Sequence, residues 1–120
     1  MSKFVAKVRR GFTLVEIMIV VLIIGILLAI AVPNFIRARE SSRAKSCIAN
    51  LKQIDSAKEQ WAMDNKQAAG ATPADSDLYT VYTKNTPACP SNGTYTIGSI
   101  GENPSCSVGV QSGYNDHVLP

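Results

Sequence analysis

Three cysteines and one histidine are the side chains of this sequence whose chemistry depends most on their neighbours: Cys47, Cys89, Cys106 and His117. Two cysteines can pair as a disulfide in an oxidising compartment. Cys89 and Cys106 flank the clearest strand pattern, and a bridge between them would close a loop worth ~3 kcal/mol in the chain-entropy model. We therefore predict a Cys89–Cys106 disulfide. Three single pairings are open, and the alternative is that Cys47 ties its helix to the C-terminal part.

The same residues do not indicate a metal or catalytic centre by their spacing. His117 has no second histidine beside it, and Cys89 and Cys106 are not spaced as zinc ligands usually are. No glycine-rich phosphate loop follows a predicted strand, and no nucleophile can be matched with a base. We expect no bound metal, no cofactor and no enzymatic activity.

A single carboxylate, Glu16, interrupts an apolar run that extends from Phe12 to Val32. A charge at the centre of a bilayer costs roughly 2.5–3.5 kcal/mol on insertion scales. Charged residues in such positions are usually kept for a function. The type and position of Glu16 therefore indicate a functional residue.

The apolar run is long enough to cross a membrane. As a helix, its 21 residues rise ~31 Å, close to the ~30 Å hydrocarbon core of a bilayer. An ordinary secretory signal has a shorter core. Cations precede the run and also follow it closely, so the positive-inside rule does not fix its orientation.

The positive charge of the chain is concentrated at its beginning. The first eleven residues hold no acid and four cations: Lys3, Lys7, Arg9 and Arg10. Because the whole chain carries +3, the rest carries −1. We therefore expect no specific nucleic-acid binding.

The order RRG, FTLVE and then an apolar helix resembles the signal of type IV pilins and related pseudopilins, over residues 7 to about 54. The resemblance implies that a prepilin peptidase cuts between Gly11 and Phe12, on the cytoplasmic side of the membrane. Phe12 would become the N-methylated amino terminus, and Glu16 the fifth mature residue. Gly25 and Pro33 lie where many members have a glycine and a proline.

Cleavage gives Glu16 a plausible partner. The new α-amino group of Phe12 is a cation, and a carboxylate in an apolar medium requires an opposite charge. We predict that Glu16 meets the amine of a neighbouring subunit and sets the axial offset between packed helices. The alternative is that Glu16 bonds its own amino terminus one turn away or reaches the membrane interface.

The remaining pattern predicts an α+β fold in which a long helix carries a small antiparallel β head. Pro33 lacks an N–H group, so we expect a kink there, and the resemblance implies loosening between Gly25 and Pro33 in filaments. Residues 34 to about 66 are amphipathic, with a stripe that ends at Lys58, Trp61 and Ala62. Strands are predicted at 78–82, 94–97 and 106–110, with a turn at Asn92-Gly93.

The predicted segments are a leader (1–11), a transmembrane and assembly helix (12–33), an amphipathic helix (34–69) and a head (70–120). The amphipathic stripe consists of Ala44, Cys47, Ile48, Leu51, Ile54, Lys58, Trp61 and Ala62. Major pseudopilins commonly carry an acidic calcium-binding loop near the C-terminus. Asp116 is the only acid in the ending SGYNDHVLP, so calcium is not expected.

These features predict a structural subunit of a type IV pilus-like filament, with a pseudopilin of a type II secretion or DNA-uptake apparatus as the alternative. A monomeric membrane-anchored binding protein is the alternative of another class. The resemblance implies that the chain forms a homopolymer and also associates with other pilins or pseudopilins. Its further implied partners are a prepilin peptidase, an inner-membrane assembly platform and the lipid bilayer. It also implies a bacterial inner-membrane precursor and a periplasmic or cell-surface filament.

Overall fold

The structure is a computed structural model that describes residues 9–110 and 116–120. Two helices, α1 (Leu14–Asp64) and α2 (Asp75–Leu78), precede two strands, β1 (Tyr95–Thr96) and β2 (Ser105–Cys106). The strands pair antiparallel, with Tyr95 opposite Cys106 and Thr96 opposite Ser105. This arrangement confirms the predicted α+β class.

The chain divides into two compact units, Met1–Ile36 and Arg37–Pro120, called here the N-terminal and C-terminal units. The division falls within α1, because the helix extends on both sides of it. The helix also continues through Pro33. A kink at Pro33 and loosening from Gly25 onward stay predictions. Apart from its chain neighbours and the backbone of its own helix, no described residue lies within 4 Å of a Cβ built on Gly25, so the packing of the described residues does not demand a glycine there.

In the N-terminal unit, the first turn of α1 is closed by a reciprocal pair of hydrogen bonds. The Thr13 N–H donates to Glu16 Oε2 at 2.9 Å, and the Glu16 N–H donates to Thr13 Oγ1 at 3.2 Å. This is a capping box, which satisfies backbone donors that have no partner inside the helix. The helix therefore begins where its sequence supplies a threonine followed three residues later by a glutamate.

The C-terminal unit buries the predicted stripe of α1. Seven residues of the helix are buried: Ala44, Cys47, Leu51, Ile54, Ala57, Lys58 and Ala62. Ile48 is half-buried, and Trp61 is half-buried against the core, as expected. The helix ends at Asp64, before both the predicted end of the amphipathic pattern at about residue 66 and the predicted segment boundary at 69. Ala57 was the one buried position that the stripe omitted.

Two apolar clusters form the core of the C-terminal unit. The first holds Cys47, Leu51, Cys89 and Cys106, with Tyr95, Val108 and Leu119 packed against it. The second holds Ile54, Ala57, Leu78 and Ile97, with Trp61, Tyr79, Tyr82 and Tyr95 around it. Since an isolated two-stranded ribbon is marginal at best, the short β1–β2 pair depends on this packing for its stability.

Lys58 is a fully buried cation on the inner face of α1. Its Nζ donates to the backbone oxygens of Ile97, at 3.2 Å, and of Glu102. Asp55 Oδ1 lies 3.7 Å from the same nitrogen. The apolar stem of Lys58 follows the stripe, as predicted, while its ammonium group holds the loop after β1 against the helix.

Two of the three strand predictions require correction. The segment 78–82 is not a strand: Leu78 ends α2, and the Tyr82 N–H donates back to the Leu78 oxygen at 3.0 Å. The predicted strand at 106–110 is displaced to Ser105–Cys106, because a turn follows in which the Gly109 N–H donates to the Cys106 oxygen at 3.0 Å. The strand at 94–97 is confirmed in part as Tyr95–Thr96, and Asn92 lies at a turn with φ +60°.

Candidate functional site

The predicted processing and assembly residues lie at the start of α1. Gly11 and Phe12 precede the helix and are exposed, Phe12 at 87% of its surface. Among the described residues, a Cβ on Gly11 would meet nothing within 4 Å beyond its chain neighbours. Both residues that flank the peptide bond between Gly11 and Phe12 are therefore exposed in the described part of the chain. Cleavage there and methylation of Phe12 stay predictions.

The apolar part of α1 has no partner within the chain. Every residue from 9 to 39 is exposed, and the helix contains an 18-residue apolar window of which none is buried. By length and composition, α1 is the one helix in the described residues that could cross a membrane. Because water disfavours so much exposed apolar surface, this part of the helix requires lipid or other protein around it.

Glu16 is exposed at the amino end of this apolar surface, where its carboxylate caps its own helix. The alternative in which Glu16 bonds the mature amino terminus of its own chain stays a prediction, because the bond seen here is to the Thr13 N–H. The bond uses the N–H of Thr13, which remains after a cut before Phe12, so capping and pairing with a neighbour's amine are compatible. The intermolecular pairing stays a prediction.

A second group of chemically active side chains is assembled inside the C-terminal unit. Cys47 lies on α1, Cys89 in the loop before β1, Cys106 on β2, and His117 beyond residues 111–115. All four are buried, and one donor atom from each lies within 4.8 Å of all the others. We call these four residues the cysteine–histidine cluster.

The predicted Cys89–Cys106 disulfide is not formed in the structure, where all three cysteines are free. The Cys89 and Cys106 sulfurs lie 3.7 Å apart, and the Cys89 and Cys47 sulfurs lie 3.6 Å apart. A disulfide requires ≈ 2.05 Å. The sulfurs are neighbours in the predicted Cys89–Cys106 pairing and also between Cys47 and Cys89, but neither pair is bonded. The Cys89–Cys106 disulfide stays a prediction.

His117, which has no second histidine in the sequence, lies beside the cysteines in the structure. Its Nδ1 lies 3.6 Å from Cys89 Sγ, and the residue is 2% exposed. Its backbone N–H donates to the Gly109 oxygen at 2.9 Å, which holds it beside the turn after β2. Sequence spacing missed this group because its members come from separate parts of the chain.

The environments of the thiols differ. Burial raises the pKa of the Cys47 thiol to about 12, although the Tyr95 hydroxyl opposes this shift. Burial would also raise the pKa of the Cys89 thiol, but hydrogen bonds from the backbone of Ser91 and Gly93 lower it below its ordinary value. The loop CPSNG therefore places two backbone amides, those of Ser91 and Gly93, against the Cys89 sulfur. This local pattern is a signal that sequence reasoning could have used.

The start of the chain matches the family model described as the prokaryotic N-terminal methylation motif, over residues 6–32. The chain is 34% identical to the type IV wide pilus major component of Thermus thermophilus over 104 residues, which are 87% of this chain and 75% of that protein. It is 52% identical to the type IV major pilin protein of Myxococcus xanthus over 53 residues, 44% of this chain and 24% of the relative.

The chain is also 34% identical to the type II secretion system core protein G of Pectobacterium carotovorum over 59 residues, 49% of this chain and 38% of that protein. The matched region thus spans well under half of the Myxococcus and Pectobacterium proteins. No solved structure matches the chain. With its methylation motif and its similarity to the Thermus pilin across most of both sequences, the chain belongs to the family of type IV pilins and type II secretion pseudopilins.

Proposed function

We propose that this chain is a structural subunit of a type IV pilus-like filament, which polymerises through its N-terminal helix after cleavage between Gly11 and Phe12. The observation that carries the proposal is the largely apolar surface of residues 12–36. Every residue in this range is exposed, and Glu16, near its amino end, is the one charged residue among them. In a bilayer this surface anchors the subunit, and in a filament it packs against the same surface of other subunits.

The proposal assigns Glu16 the role of setting the register. A helix that leaves the lipid can pack against its neighbours at many axial offsets, because one apolar surface slides over another at little cost. A buried carboxylate that must meet the Phe12 amine of an adjoining subunit favours one offset over the others. Glu16 thus contributes specificity to a contact whose strength comes from apolar burial.

The subunit requires other proteins in this proposal. A prepilin peptidase removes residues 1–11, and an inner-membrane platform extracts the anchored subunit into a periplasmic or cell-surface filament that includes other pilins or pseudopilins. In this proposal the chain has no enzymatic activity of its own, since its role is to pack against other subunits of the filament. Similarity to the Thermus pilus component over most of the chain favours a pilus.

The second candidate is a pseudopilin of a secretion apparatus, which the similarity to type II secretion core protein G supports over about half of the chain. Deletion of the gene distinguishes the two. Loss of long surface fibres supports the pilus, whereas a secretion defect in cells that keep their fibres supports the pseudopilin.

The experiment that tests assembly compares Glu16→Gln with Glu59→Gln, a matched change at an exposed position of the same helix. The filament proposal predicts that Glu16→Gln inserts into the membrane but loses most polymer, and that Glu59→Gln assembles normally. Intact mass of the polymer should show loss of residues 1–11 and one methyl group on Phe12. A mature chain that still begins at Met1, or a Glu16→Gln subunit that polymerises fully, contradicts the proposal and leaves the monomeric anchored protein.

A further inference from the structure

The cysteine–histidine cluster has the composition and geometry of a closed metal site. Three sulfurs and an imidazole are the ligands that zinc takes in structural Cys₃His centres. Their residues are almost completely buried: Cys47 at 0% exposure, His117 at 2%, and Cys89 and Cys106 at 7% each. Four such donors from four separate segments converge on one point inside the C-terminal unit.

The distances distinguish a metal site from a disulfide. In a tetrahedral centre with Zn–S bonds of ≈ 2.3 Å, neighbouring sulfurs lie about 3.8 Å apart. In the structure, the Cys89 sulfur lies 3.7 Å from the Cys106 sulfur, 3.6 Å from the Cys47 sulfur and 3.6 Å from His117 Nδ1. A disulfide would join two of the sulfurs and leave the third thiol and the imidazole buried without a use. We propose that Cys47, Cys89, Cys106 and His117 bind a zinc ion.

The groups around the sulfurs are those that a thiolate site requires. The Tyr95 hydroxyl donates to Cys47 Sγ at 3.5 Å, and the Asn50 amide donates in turn to the Tyr95 oxygen at 3.1 Å and to the Ala88 oxygen at 3.0 Å. Asn50 thereby orients Tyr95 and also holds the loop that carries Cys89. Partners of this kind position metal ligands.

The loop after Cys89 is shaped to approach the same point. Backbone groups of Ser91 and Gly93 hydrogen-bond to the Cys89 sulfur. A Cβ on Gly93 would lie 2.5 Å from Cys106 Sγ and 3.2 Å from Cys89 Sγ, so no side chain fits there. Three thiolates and one Zn²⁺ sum to a charge of −1, which these amide donors and the Tyr95 hydroxyl stabilise.

The zinc ion would tie α1, the loop before β1, β2 and the chain end together. Each coordinating thiol releases its proton to solvent, and no electrons are exchanged. Since such a site does not exist in the unfolded chain, metal affinity adds to the stability of the folded unit. The site goes beyond the proposed function: none of its residues lies in the N-terminal unit, so assembly and zinc binding can fail separately.

The test uses the full-length chain in detergent, purified without chelator. We expect one zinc per chain by mass spectrometry of the metal, and three cysteines that alkylate after denaturation without a reductant. Replacement by Co²⁺ should give the intense visible bands of tetrahedral cobalt and a sulfur-to-cobalt charge-transfer band. These measurements on the unaltered chain do not depend on whether any variant folds.

Variants then assign the ligands. His117→Ala should weaken zinc binding by more than the 10–100-fold typical of losing an outer partner. His117→Cys should restore tight binding and shift the cobalt spectrum towards that of four sulfurs. Val81→Ala, at an exposed position, is the control and should bind as the unaltered chain does. A disulfide between any two cysteines, a metal-free chain with three free thiols, or zinc retained when all three cysteines are serine would each overturn the proposal.

Discussion

Replacement of Lys58 by methionine tests how the C-terminal unit holds its loops. Methionine keeps most of the apolar stem but removes the ammonium group that donates to the Ile97 and Glu102 oxygens. Hydrogen bonds to a charged group contribute ≈ 1.5–3 kcal/mol each, and a buried acceptor left without a donor costs ≈ 1–3 kcal/mol. Ile97 is buried, so its carbonyl would lose its donor without gaining full access to water.

The opposing effect is the cost of burying a charge. Lys58 is fully buried, and Asp55 lies 3.7 Å away with 40% of its side chain exposed, so that pair is screened by water and contributes little. The methionine variant recovers part of the desolvation cost. Because two backbone acceptors lose one shared donor, we expect a net loss of about 2–4 kcal/mol in the free energy of unfolding.

The assay is urea unfolding of the full-length chain in detergent, followed by fluorescence of Trp61, which is the single tryptophan and packs against the second cluster. Because the urea m-value of a small protein is about 1–3 kcal/mol/M, a loss of about 2 kcal/mol lowers the urea midpoint by about 0.7–2 M. Lys52→Met, at an exposed position of the same helix, is the control and should change stability by less than about 0.5 kcal/mol. A Lys58→Met chain as stable as the control would show that the desolvation cost cancels the hydrogen bonds, and the reasoning would be refuted.

Two further changes test other contacts of the C-terminal unit. Gly93→Ala forces a methyl group to within 2.5 Å of the Cys106 sulfur, so we expect a loss of 1–3 kcal/mol by the same urea assay, and an unchanged midpoint would contradict this packing. Burial, and then the charge of Asp75, raise the pKa of Tyr79 above its ordinary value of 10. The folded state therefore keeps the Tyr79 proton longer than the unfolded state, and stability should fall as pH rises above about 10. Tyr79→Phe should make this alkaline loss shallower, whereas an identical pH profile would show that Tyr79 does not contribute.

The sequence predicted best those features that depend on local periodicity. The stripe from Ala44 to Ala62 is buried almost as expected, because a helix places residues three and four apart on one face. The RRGFTLVE motif was recognisable for a similar reason, since its residues are contiguous. Such a motif is recognised from the charge and apolar character of residues at fixed positions in one segment, without knowing how the rest of the chain folds.

The secondary structure after α1 was predicted less well, because its short elements are joined by long loops whose course is set by contacts between distant residues. The residues 78–82 have strand-like composition, yet the Ala74 N–H donates to Asp77 Oδ2 at 3.1 Å and starts a short helix that ends at Leu78. The acidic run DSD begins α2. The sequence offered His117 no second histidine as a partner, and the cysteines that it meets in the structure are 11 to 70 residues away in the sequence, a proximity that only the folded loops create.

The two polar anchors of the C-terminal unit are related by the geometry of α1. Cys47 and Lys58 are eleven residues apart, which is close to three full helical turns, so they project from the same face about 16 Å apart along the axis. With the proposed zinc ion, the cysteine–histidine cluster would hold Cys89, β2 and His117 at one point, and the Lys58 ammonium holds the loop from Ile97 to Glu102 at the other. Apolar packing alone would allow two-residue strands to shift over the stripe, because such contacts have little directional preference. Anchors at two separate points on one helix face remove that freedom, since a displacement that keeps one set of directional contacts must break the other.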